Sequence, residues 1–75
     1  METYRVGVFA TEYGWRLAGP DAAAEYPSQS LAVKAAYRLA HLARWRGAEV
    51  QILVQHRPGE ALVEAPWGPP PAIDD

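Results

Sequence analysis

The sequence predicts an α+β domain of order β-β-α-β-β, two hairpins forming one sheet with a single long helix packed on one face. Three observations predict it. Residues 4–9 and 13–18 alternate in polarity with a period of two across a short spacer. Residues 31–46 are dense in Ala, Leu, Lys and Arg, the composition of a helix. Residues 49–55 alternate again and run into a Pro-Gly turn.

In the first hairpin, Tyr4, Val6 and Val8 share one face, and Arg5 and Phe9 the other. After the spacer Ala10-Thr11-Glu12, the side chains of Tyr13, Trp15 and Leu17 fall together, which makes Trp15 an expected centre of the core. Gly19-Pro20-Asp21 reads as a turn. Residues 22–26 are open between a short third strand and a loop, because three consecutive alanines are poor strand formers.

Ser28 is placed to cap a helix over 28–46, its hydroxyl accepting from an otherwise unpaired first-turn amide, and Gly47 is the natural stop. Wound at about 100° per residue, Ala32, Ala36, Leu39 and Ala43 centre one face. Val33 and Ala40 flank them on one side, Ala35 and Leu42 on the other, with Lys34, Arg38, His41 and Trp45 opposite. Small residues at the centre let a helix axis come close to a sheet. Val50, Ile52 and Val54 then face one way from the next strand, and Gln51, Leu53 and Gln55 the other. Residues 57–60 suit a turn with Pro58 and Gly59 at its centre, and 61–65 return as the last strand. The domain spans 1–68, and 69–75 form a flexible proline-rich acidic tail; Trp67 is expected to fold back on the last strand.

Composition narrows the function classes. A chain of 75 residues buries only about 60% of the surface its unfolded form exposes, so its core is thin. A net charge of −2 argues against a polycation built to coat nucleic acid or anionic lipid. With no cysteine, packing or self-association must stabilise the fold. The start Met1-Glu2-Thr3-Tyr4 lacks the basic residues and apolar run of a signal peptide, and no stretch approaches a membrane span, so a cytoplasmic location without membrane partners is expected.

Gly14-Trp15, Ser28-Gln29-Ser30-Leu31-Ala32-Val33, Ala36, Leu39-Ala40, the valine-rich strand 50–54, Pro58-Gly59 and Trp67-Gly68 follow one another in a familiar order and spacing. Over about residues 4–68 the chain resembles the small bacterial domain-of-unknown-function family 2188. It departs in Ser28 where the family has Thr, in the lack of an acid in the first helical turn, and in Pro58 for the turn Asp. The resemblance implies a β-β-α-β-β fold and no assigned activity, so it carries over no catalytic residues.

The residues themselves predict no enzyme. His41 and His56 lie on a helix and in a turn, with no cysteine and no metal-ligand spacing, so no metal or cofactor is expected. Gly7, Gly14 and Gly19 are isolated rather than a phosphate-binding loop, and Ser28 and Ser30 sit where capping explains them. Glu60 and Glu64 near His56 read as a solvated turn.

Two features are left to carry function. Residues 27–47 hold Lys34, Arg38, Arg44 and Arg46 and no acid, so Lys34, Arg38, His41, Arg44 and Trp45 form a candidate stripe for nucleic acid or a protein partner. One helix covers one sheet face, which leaves Phe9, Leu53 and Leu62 as a candidate homodimer patch. The expected function is a non-enzymatic interaction or accessory module that self-associates through its sheet, with weak nucleic-acid binding by the helix as the alternative.

Overall fold

The structure, a computed structural model, describes residues 3–65. The expected tail, and Trp67 with it, lie outside the described residues. The elements run β1 (Thr3–Thr11), β2 (Gly14–Ala18), β3 (Ala23–Tyr26), α1 (Gln29–Trp45), β4 (Glu49–Gln55) and β5 (Leu62–Glu64). They form one five-stranded mixed sheet of order β3-β2-β1-β4-β5, with α1 packed on one face. The α+β architecture is as the sequence predicts, and residues 23–26 do form a third strand before the helix. Their weak intrinsic preference is overridden by pairing, since the whole of β3 runs antiparallel to β2, from Trp15 with Tyr26 to Ala18 with Ala23.

The two hairpins meet through β1 and β4, which pair in parallel from Thr3 with Glu49 to Val8 with Val54. That register puts Val6 beside Ile52 and Val8 beside Val54 and Leu17, all buried on the helix side. The helix meets them with Ala32, Ala36, Ala40 and Ala43, also buried. Having only a methyl group at each contact lets the helix backbone lie close to branched side chains, which supply the volume of the core.

The helix ends are capped as the sequence indicates. Ser28 Oγ accepts from the Leu31 amide at 3.2 Å. At the other end Gly47, at φ +91°, turns the chain away while the Gly47 and Ala48 amides donate to the carbonyls of Arg44 and Ala43. The β4–β5 turn holds Gly59 at φ +85°, with the Glu60 amide donating to the Arg57 carbonyl at 3.1 Å.

Three placements differ from expectation. Tyr13 is not on the core face with Trp15 and Leu17; β1 continues to Thr11, which pairs with Gly14, so Tyr13 sits in the turn and is 83% exposed. Gly14 makes that tight turn possible. It adopts φ +142°, and a Cβ there would stand 2.6 Å from the Tyr26 carbonyl oxygen. Trp15 is half-buried at the margin of the core, and Leu17, paired with the buried Val8, takes the central place. On the helix, Leu42 does not flank the core: it is 50% exposed, while Leu39 is half-buried.

Candidate functional site

The face of the sheet turned away from α1 is built by the odd-numbered positions of β1 and β4. Leu53 stands beside Gly7 on one side and Glu64 on the other, and Leu62 stands beside Gln55. Leu62 also lies across the gap that Gly7 leaves, its Cδ2 3.5 Å from where a Gly7 Cβ would be. Phe9 follows two residues along β1 on the same face. The structure therefore brings the predicted Phe9, Leu53 and Leu62 to one surface. Phe9 and Leu53 are half-buried there, and Leu62 is exposed.

Polar pairs frame this patch. Arg16, next to Phe9 across the β1–β2 ladder, makes a 3.0 Å salt bridge to Glu25, the residue opposite it on β3. At the other end Arg5 Nε donates to Gln51 Oε1 at 2.8 Å. Above the patch, Gln55 Oε1 accepts from the Ala10 amide at 2.8 Å, and its Nε2 donates to the Glu60 carbonyl at 2.7 Å. The same strand end is tied to the start of α1, where Gln29 Nε2 donates to the carbonyls of Gln55 and His56. An apolar patch with both charge signs at its border is suited to another protein surface.

The second predicted site, on α1, is also presented outward. Lys34, Arg38, His41, Arg44 and Trp45 are all exposed, Trp45 at 80%. Among the described residues Lys34, Arg38 and His41 have no hydrogen-bond or ion-pair partner. The sequence reading missed two neighbours on this face, Leu31 and Leu42. The helical projection itself held that signal for Leu31, which falls beside Arg38 and Trp45.

Elsewhere, an open depression of ≈ 400 Å³ lies below the C-terminal end of α1, between Tyr4, Asp21, Ala43 and Arg46. The Tyr4 hydroxyl donates to Asp21 Oδ1 at 2.8 Å. Partial burial and this carboxylate raise the phenol above its ordinary value, with Arg46 acting in the opposite sense. The arrangement pairs a donor with an acceptor but supplies no activated nucleophile. Among the described residues no three His, Cys, Asp or Glu side chains gather as a metal-binding group, and Glu64 sits beside Leu53 rather than with His56 and Glu60. Among the described residues no helix is long and apolar enough to cross a membrane.

Comparison with protein-family models, curated proteins and solved structures finds no match for this chain.

Proposed function

We propose that this chain is a small non-enzymatic interaction module of the cytoplasm that forms a homodimer through the uncovered face of its sheet. The observation that carries the reading is the shared placement of Phe9, Leu53 and Leu62 on that face, with Leu62 reaching over Gly7 and residues of both charge signs at the border. A two-fold axis through such a patch lets apolar residues meet their own copies while border cations meet border carboxylates. Area removed from water there contributes about 25 cal/mol per Å² before the cost of association is subtracted. The thin core supports the same reading, because its largest fully buried side chains are only Leu17, Ile52, Val6 and Val8.

Sedimentation of the parent chain and of Leu53→Lys tests it. Pairing of sheet faces predicts a parent dimer and a monomeric, less stable variant. An unchanged dimer in Leu53→Lys points instead to pairing of the sheet edges, at β3 or β5. A parent that stays monomeric at hundreds of micromolar overturns self-association in either form. Weak nucleic-acid binding by the helix is the less favoured reading, because Leu31 and Leu42 share the stripe with the cations.

A further inference from the structure

The outward face of α1 combines features that a solvated helix does not need. Leu31, Ala35, Arg38, Leu42 and Trp45 succeed one another at steps of four, three, four and three residues. That is the spacing of a heptad seam, averaging about 3.5 residues, by which one helix receives another along its length. Leu31 is 46% exposed, Leu42 50% and Trp45 80%, so the seam is apolar and uncovered at both ends. The buried alanines that hold α1 to the sheet, Ala32, Ala36, Ala40 and Ala43, lie on a different side, and of the seam only the half-buried Ala35 reaches the margin of the core.

Charge selects the occupant. Arg38 stands at the middle of the seam, Lys34 and His41 lie along one flank, and no carboxylate occurs between Glu25 and Glu49. A second copy of α1 does not fit: parallel, or antiparallel about the seam's centre, self-pairing sets Arg38 against its own copy, with Lys34 and His41 of both chains close by. Nucleic acid fits poorly, since Leu31 and Leu42 would be held against a phosphate backbone. We propose that this face is the docking site for an acidic amphipathic helix of a different protein, with apolar side chains along the seam and carboxylates facing Lys34, Arg38 and His41. Arg38 then works as the selective element, because a partner without a carboxylate opposite it leaves a guanidinium unpaired within the contact. The surface is separate from the sheet face assigned to self-association, so neither proposal depends on the other.

The test uses the full chain and two synthetic amphipathic helical peptides with one leucine seam, flanked in one by glutamate and in the other by lysine. Single-stranded and duplex oligonucleotides are titrated alongside. The glutamate peptide is expected to bind at least about tenfold more tightly than the lysine peptide, with affinity falling as salt rises. Its amide shift changes should map to α1. Arg38→Glu should abolish that preference, and Leu42→Ala should weaken the glutamate peptide several-fold. Circular dichroism checks that these outward substitutions leave the fold intact. No binding of either peptide at millimolar concentration, equal binding of both, or tighter binding of an oligonucleotide that is indifferent to Leu42→Ala overturns the proposal.

Discussion

Both faces of the sheet carry apolar residues, those of the outer face interspersed with polar ones, and the two meet different fates. On the inner face Val6, Val8 and Ile52 are completely buried under a helix supplied by the same chain. On the outer face Phe9 and Leu53 are half-buried by their own neighbours, and Leu62 is exposed. The inner face shows that alanine at the contact positions of α1 is enough to close a core on branched strand residues. The outer face shows how far strand residues shield one another with no layer above them.

The sharpest way to break this comparison is to remove the same side-chain atoms from each face. Leu17 is 1% exposed, so Leu17→Ala should cost about 2–5 kcal/mol and leave much of the protein unfolded. Chemical denaturation reads this directly, and a variant with the parent midpoint would show that the inner face is not the core. Gly14→Ala comes next, expected to cost upwards of about 2 kcal/mol, because the new Cβ meets a backbone carbonyl in a φ region that alanine avoids. Gly47→Ala, with open space around it, should lose only about 1 kcal/mol.

Leu53→Ala sharpens the contrast. In dilute protein it should cost about 1 kcal/mol, less than Leu17→Ala, because its site is half-open. If the sheet faces pair, that cost grows with protein concentration, whereas the cost of Leu17→Ala remains large throughout. Melting at two concentrations far apart separates the two. Arg16→Ala removes the ion pair with Glu25, in which both side chains are well over a third exposed, so the expected loss is below about 1 kcal/mol and shrinks in salt. The smallest effect concerns Tyr4. Its phenol is raised when folded, so the unfolded chain ionises first as pH climbs past the ordinary tyrosine value. Stability should therefore fall slightly in that alkaline window, and Tyr4→Phe should remove that part of the decline.

Legibility in the sequence followed the same physical divide. Alternation identified β1, β2 and β4 and assigned Val6, Val8, Leu17, Ile52 and Val54 to one face, because a period of two fixes faces without knowledge of neighbours. Ser28 and Gly47 marked the helix, because caps are local chemistry. Residues 23–26 are undecidable from sequence, since a strand that begins with two alanines exists only through its partner β2. Strand order was equally hidden: nothing local says that β1 and β4 lie side by side. Trp15 and Leu42 went astray for one reason, that a periodic face is wider than the surface its partner covers. On the helical surface Leu31 is legible from the projection, whereas Leu42 is not, because its exposure depends on how much of the helix the sheet covers.

The parallel pairing of β1 with β4 bears on how the chain reaches this state. The paired residues are 46 positions apart, so the central ladder closes only after β2, β3 and the whole helix have been traversed. Local events, the β1–β2 hairpin and α1, are within reach on a microsecond scale of roughly 1–10 µs for a hairpin, but neither has a finished core to settle on. The rate should therefore be governed by the arrival of β4, and a chain still emerging from the ribosome presents Val6, Val8 and Leu17 to solvent until Ile52 and Val54 have been made. A folding transition state probed by substitution should be weighted towards β1, β4 and the alanines of α1, and nearly silent at β3 and β5.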